Sequence, residues 1–563
     1  MNLRDLSRYA GCSNLLFTNV HINLAKYNYK PVVLIVLDGF GVAAAAAVNS
    51  PWQYARHPVF DKIEHFLPFT TLQASGVAVG LPWGEEGNSE VGHLTMGSGR
   101  IIYNHLPRII SAIQDNTFFQ NEALLKAIKQ VKEKKSLPAG RQGTLHLMGL
   151  FSSGSVHAYA EHVYALLELA KRNEVQKVLL HPFTDGRDAP LEEAARFIRD
   201  FSEELKSQYP MAKIASLIGR NYALDRDDNW GLIETTYRLL TEGKGNAFTD
   251  ASAYIEEQYK KGITDEKIEP AFASLGEAMA GKPAQEGLIK NGDAVIFWNF
   301  REDSARQLTQ AFIDKKFDKF QRECLVDLVF VTMTEYDKRF LTPAAFPSLD
   351  VKWPLAAIIS QAGFKQLHLA EREKYAHITY FFNGGQEKPF DNEERILISS
   401  AAGRLEDAPE MSAAKVTQAI LDNMGLYDFI LANFANADMV GHTGNFEACV
   451  KAIEVLDFSI GKIIPPIIEN GGIVIITADH GNIEEKLYKF TGEKRTKHSI
   501  NPVPFYLVSQ DLTRLEPRSD EEVKSLYQKV GGTLSDIAPT VLELFNLPKP
   551  EEMTGRSLLE KLI

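Results

Sequence analysis

With 563 residues, 45% of them hydrophobic, 24% charged and 10% aromatic, the chain is too long for one core and has the make-up of a folded soluble protein of at least two domains. A formal net charge of −12 and an isoelectric point near 5.7 exclude the basic footprint of a nucleic-acid binder. No run approaches the roughly 18 apolar residues of a membrane span, and Cys12, Cys324 and Cys449 give neither a disulfide framework nor zinc spacing, which fits a reducing, cytoplasmic setting.

Residues 1–30 lack an uninterrupted apolar h-region and a cleavage site, and they read as a loosely attached N-terminal extension. Pro31 to Leu37 is an apolar, β-branched run that stops at Asp38-Gly39-Phe40-Gly41. Such a run predicts a strand buried on both faces of a parallel sheet, where ligands bind off the carboxyl ends. Asp38 stands at that end; an ordinary Asp-Gly turn is the competing reading. The alanine run from Ala43 to Ala47 offers no chemistry.

Gly87-Asn88-Ser89-Glu90-Val91-Gly92-His93 sets one hydroxyl in a short polar turn between glycines, which would allow close backbone approach and an unusual conformation. Two readings fit: a helix N-cap, and a serine nucleophile that needs a base or a metal to carry its alkoxide.

The stretch 105–345 alternates predicted helices (Pro107 to Phe119, Ala158 to Arg172) with predicted strands (Thr144 to Leu150, Lys177 to His181, Ala294 to Trp298), implying a second α/β sheet. Lys135 to Gly143 reads as a surface loop. Arg187, Arg220, Arg226, Arg301 and Arg306 follow the predicted strands, and an arginine fork matches carboxylate and phosphate geometry.

Beyond residue 345 the pattern of the first strand returns. Tyr427 to Phe434 leads into Asp438 and His442, Gly472 to Thr477 leads into Asp479 and His480, and His498 precedes a strand-like Asn501 to Val508. Three aspartates and three histidines at strand ends suit a metal centre of mixed carboxylate and imidazole donors, Mn²⁺ or Zn²⁺ first, Co²⁺ or Mg²⁺ also. With Ser89 they suffice for two ions, an arrangement suited to in-line displacement at phosphorus.

Leu37-Asp38-Gly39-Phe40-Gly41, Gly87 to His93, Thr184-Asp185-Gly186-Arg187-Asp188, Glu373-Lys374-Tyr375-Ala376-His377, Asp438 to Gly444 and Thr477 to Asn482 together resemble the motifs of the cofactor-independent phosphoglycerate mutases. The resemblance implies an alkaline-phosphatase-like domain with a mainly parallel sheet (31–104 and 346–563), interrupted by an inserted α/β transferase domain (105–345), with the active site in the cleft between them. It implies one metal on Asp438, His442 and His498 and a second on Asp38, Ser89, Asp479 and His480. It implies a phosphoserine route between 3-phosphoglycerate and 2-phosphoglycerate without added 2,3-bisphosphoglycerate, by a monomer. Lys374 and Arg301 would neutralise the transferring phosphoryl group; Asp188, Arg187 and His157 would grip glycerate and move its protons; Arg220 and Arg226 would hold its carboxylate.

Two positions depart from the family pattern. Ser153 replaces an aspartate, and Ser304 replaces a phosphate-binding arginine that Arg306 is placed to compensate. The alternatives are another phosphomutase or phosphatase of the same superfamily, which would keep the metal site and Ser89, and a metal-binding scaffold without turnover.

Overall fold

The computed structural model describes residues 27–43, 50–133, 143–274, 287–347, 351–400, 403–488 and 491–563. Residues 1–26, 44–47 of the alanine run and 135–142 of the predicted loop lie outside the described residues. The chain divides into two compact units, one ending at Ile102 and resuming after residue 350, the other beginning at Tyr103 and described to residue 347.

In the first unit the eight described strands run in the order 393–398, 366–371, 429–434, 32–37, 473–477, 503–508, 69–73 and 530–533. Seven are mutually parallel, and Val503–Val508 alone runs the other way. Every side chain of Val32–Leu37 is buried, because helices cover both faces of the sheet and leave water no access to its centre. Leu37 pairs with Phe434, and Val36 with Thr477, so the three central strands end level. Asp38, Asp438 and Asp479 therefore emerge side by side from three successive turns. Residues 27–30, assigned by sequence to the loose extension, are tied down: the Tyr29 hydroxyl donates to Asp511 Oδ2 at 2.6 Å and the Lys30 amide donates to the Gly471 carbonyl at 3.3 Å.

The second unit has its own core around a sheet of nine described strands, again mainly parallel. Its centre is the parallel set 294–297, 145–150, 178–184 and 216–219. Their carboxyl ends lead directly into the segments carrying Arg301, His157, Arg187 with Asp188, and Arg220. The helix expected from Pro107 to Phe119 is two pieces, His105–Gln114 and a 3₁₀ turn at Thr117–Gln120. Asp115 accepts from the Thr117 amide at 2.9 Å, and Asn116 takes a left-handed φ of 67°, which breaks the helix between them. No described helix is long and apolar enough to cross a membrane.

Candidate active site

Ser89 is the first residue of the helix Ser89–Ser98, and the motif does open a helix, as the capping reading expects. Asn88 supplies the cap, its side chain accepting from the Val91 amide at 2.9 Å, which frees the neighbouring serine to face inward. The expectation that Gly87 and Gly92 serve unusual torsions is corrected, since neither has a positive φ. They are needed for close approach: a Cβ on Gly92 would lie 2.6 Å from the Asp479 carbonyl oxygen, and one on Gly87 2.1 Å from that of Ala74. Gly39, after Asp38, does need its conformation, with φ of 74° and its α-carbon against the Asp438 backbone.

The Ser89 hydroxyl is buried, not surface-facing. Its oxygen lies 3.1 Å from Asp38 Oδ1 and 3.0 Å from His480 Nε2, and it accepts from the Lys374 ammonium at 2.9 Å. Lys374 follows the strand Gln366–Glu371, which lies beside Phe429–Phe434, so it reaches the same sheet end. Its ammonium also contacts Asp38 Oδ1 and Asp438 Oδ2, both at 2.6 Å. Burial alone would lower its pKa, but Asp38 and Asp438 overcome that and hold it above the ordinary lysine value. Asp438, which burial alone would raise, is held far below the usual carboxylate range by its contacts with His442 and His498 and by the charge of Lys374. Burial and the nearby Asp479 raise Asp38.

The donor atoms fit a cation centre. His442 Nδ1 donates to the Thr496 carbonyl at 2.8 Å and His498 Nδ1 to that of Gly87 at 2.7 Å. A carbonyl can only accept, so each neutral ring carries its proton on Nδ1 and turns the Nε2 lone pair inward. Those two Nε2 atoms are 3.1 Å apart, and each is 3.2 Å from Asp438 Oδ1. Three lone pairs at such separations repel unless a positive charge lies among them. Asp479 Oδ1 accepts from the amides of Gly39 and His480, both at 3.0 Å, whereas its buried Oδ2 has no hydrogen bond. Asp38, Asp438 and His480 form another close set of possible ligand atoms, as do Asp438, His442 and His498.

Sequence reasoning passed over three neighbours. His93, one turn after Ser89, donates from Nδ1 to the Ser89 carbonyl at 2.8 Å and accepts from Asn433 at 3.1 Å. Its i+4 spacing was the available signal. Asn433 also donates to Asp38 Oδ2 at 2.8 Å, and Asn482 to Asp438 Oδ1 at 2.8 Å. Both hold carboxylates in place.

In the second unit His157, Arg187, Asp188, Arg220, Arg226, Arg301 and Ser304 line one cavity of about 340 Å³. Arg220 donates to Asp185 at 2.7 Å and to Asp188 at 2.6 Å. Asp185, also missed, closes the turn by accepting from the amides of Arg187 and Asp188 at 3.1 and 3.0 Å. Arg187 is paired with Glu266, and Arg226 with Asp303 at 2.8 Å. Burial, with the charge of Arg220, pushes His157 down to about 4, so its imidazole is neutral near pH 7 and can accept a proton. Arg306 donates to the Tyr336 carbonyl at 2.7 Å and is not among the residues lining the cavity. Ser153 donates from both amide and hydroxyl to Glu193, each at 2.8 Å, so a carboxylate lies against this position.

Comparison with known proteins gives a consistent result. A model of the Metalloenzyme superfamily matches residues 30–549. The 2,3-bisphosphoglycerate-independent phosphoglycerate mutase of Moorella thermoacetica is 44% identical over 534 residues, covering 94% of this chain and 99% of that protein. The 2,3-bisphosphoglycerate-independent phosphoglycerate mutase 1 of Methanosarcina barkeri is 45% identical over 546 residues, covering 96% and 100%. A crystal structure of Leishmania mexicana phosphoglycerate mutase at low cobalt concentration, 27% identical, covers 94% of this chain and 98% of its own with a TM-score of 0.54.

Proposed function

Because the chain belongs to the 2,3-bisphosphoglycerate-independent phosphoglycerate mutases of the metalloenzyme superfamily, we propose that it moves the phosphoryl group between the 3- and 2-oxygens of glycerate by way of phospho-Ser89. The observation that carries this reading is the buried Ser89 oxygen, held at a helix N-terminus and in contact with Lys374, Asp38 and His480. A phosphoryl group on that oxygen would meet the helix's free amides and a permanent ammonium, both suited to negative charge.

Two divalent cations, Mn²⁺ by the mixed donor chemistry, would be held by Asp438, His442 and His498, whose donor atoms converge, and by Asp38, Ser89, Asp479 and His480, whose side chains touch one another around His480, supplying Lewis-acid charge at the reacting oxygens. The chain's own residues do the rest. The Ser89 hydroxyl proton leaves toward Asp38 Oδ1, to which it is hydrogen-bonded, and Lys374 donates to the oxygen and favours its anionic form as it attacks phosphorus. The bond from phosphorus to the substrate oxygen breaks, and that oxygen takes a proton. In the second unit Arg220 and Arg226 hold the glycerate carboxylate, Arg301 meets the phosphoryl group, and Arg187, paired with Glu266, lines the same cavity. Asp188 and His157 hold its two hydroxyls. The other hydroxyl then passes its proton to the neutral imidazole of His157 and bonds to phosphorus while the bond to Ser89 Oγ breaks, leaving the isomer.

A coupled assay for 2-phosphoglycerate, started from 3-phosphoglycerate with Mn²⁺ and no 2,3-bisphosphoglycerate, tests the proposal. Turnover supports it. Release of inorganic phosphate without isomerisation would make the chain a phosphatase of the same superfamily.

A further inference from the structure

One carboxylate beside the cavity of the second unit, bonded to three of its lining residues, joins groups that the proposed function treats separately. Asp303 Oδ2 accepts from Arg226 Nη1 at 2.8 Å and from Arg301 Nε and Nη2 at 3.1 and 3.0 Å. Two guanidinium groups thus share one anionic oxygen. Their charge is only half neutralised, and their forks are aimed before any substrate arrives. Asp303 Oδ1 accepts from the Ser304 amide at 2.8 Å and from its hydroxyl at 3.3 Å, which fixes the plane of the carboxylate. Where the family pattern has an arginine, this chain uses a small hydroxyl to seat the neighbouring aspartate.

The same Oδ1 lies 3.6 Å from His157 Nδ1, a buried atom with no hydrogen-bond partner. The His157 carbonyl accepts from the amides of Phe300 and Arg301 at 2.9 and 3.2 Å, so the segment bearing Asp303 and the backbone of His157 are pinned to each other. A buried N–H left unpaired is costly, and a shift of less than 1 Å, ordinary when a cavity closes on its ligand, makes the bond. On the other side of the ring, Nε2 is 3.7 Å from Asp188 Oδ2.

We infer that Asp303 is a positioning residue for the glycerate reaction: it aims Arg226 and Arg301 through Oδ2 and, through Oδ1, keeps the His157 proton on Nδ1 so that Nε2 can accept. The inference rests on the proposed function, in which His157 handles glycerate protons. As a glycerate hydroxyl bonds to phosphorus and the bond to Ser89 Oγ breaks, the hydroxyl proton passes to His157 Nε2. In the opposite sense Nε2 returns that proton to the glycerate oxygen released from phosphorus. A carboxylate at Nδ1 holds the tautomer and steadies the imidazolium formed in between.

The test is the full-length protein with ¹⁵N-labelled histidine, compared as wild type, Asp303→Asn and Ser304→Ala. The expected wild-type spectrum shows His157 protonated at Nδ1. Asp303→Asn should lose that preference, lower the mutase kcat at least about 10-fold, raise KM for 3-phosphoglycerate and leave the melting temperature unchanged. Ser304→Ala keeps both arginine contacts and covers the case in which the first variant does not fold; it should show a partial loss of the tautomer and a smaller loss of kcat. An Nε2-protonated His157 in the wild type, or one tautomer common to all three proteins, overturns the inference. A wild-type chain without mutase turnover would sink the proposed function instead, leaving the spectra to decide the Asp303–His157 pairing.

Discussion

Replacing Ser89 with alanine separates chemistry from packing. The side chain is 6% exposed, and its oxygen contacts Asp38, His480 and Lys374 at 3.1, 3.0 and 2.9 Å. Alanine removes these contacts without orphaning a charge, because Lys374 keeps Asp38 and Asp438, both at 2.6 Å. The cost is therefore that of one or two lost buried hydrogen bonds, about 1–3 kcal/mol. For a unit of roughly 300 residues, melting entropy near 2.1 cal/mol/K per residue converts this into a fall of about 2–5 °C. Turnover should fall far more, by at least about 10⁴-fold, since loss of an activated serine nucleophile removes the whole covalent route. Scanning calorimetry and the coupled mutase assay measure the two effects on one preparation, and mass spectrometry of acid-quenched wild type should find phosphate on Ser89. Turnover by the alanine variant within 10-fold of wild type would refute the phosphoserine argument.

Chelation should abolish mutase activity, and Mn²⁺ should restore it, because His442, His498 and Asp438 present their lone pairs to one point; full activity in the chelated protein would sink the metal reading. Arg306→Ala should leave KM within about twofold, since that side chain is bound to the Tyr336 carbonyl; a fivefold rise would show that Arg306 does replace the missing arginine. His162 is buried with neither ring nitrogen hydrogen-bonded, and burial pushes it down from 6.5 to about 3. Its unfolded form binds the proton more readily, so stability is complete above pH 6.5 and is lost as pH falls toward 3, by about 2 kcal/mol at pH 5. His162→Leu should remove that loss, so the melting temperature of the second unit should fall about 4 °C less between pH 7.5 and 5 than in wild type. Parallel melting curves for the two proteins would contradict the assignment.

Much of the site could be read from the chain because its chemistry sits where a local pattern ends. Asp38 closes an apolar run, and Asp479 with His480 closes another, so strand periodicity alone places them at sheet ends. The arginines that follow strands in the second unit were legible for the same reason. His93, Asn433, Asn482, Asp185 and Asp303 carry no such mark. Each contacts a residue proposed to be functional, and a short polar side chain between two such groups looks in sequence like any capping or turn residue. Ser153 and Ser304 read as bare losses, and their partners Glu193 and Asp303 became visible only in the fold.

The sequence by itself determined the α/β class, the family and the residues proposed to hold metal, phosphoryl group and glycerate, because hydrophobic period and donor chemistry are properties of residue type and spacing. Tertiary structure alone decided which atoms of those residues face one another. Strand order and register bring the ends of 32–37, 429–434 and 473–477 level across hundreds of residues, and backbone carbonyls at Gly87 and Thr496 choose the histidine tautomers. Both depend on long-range pairing, and no local stretch of sequence contains the energy that sets it.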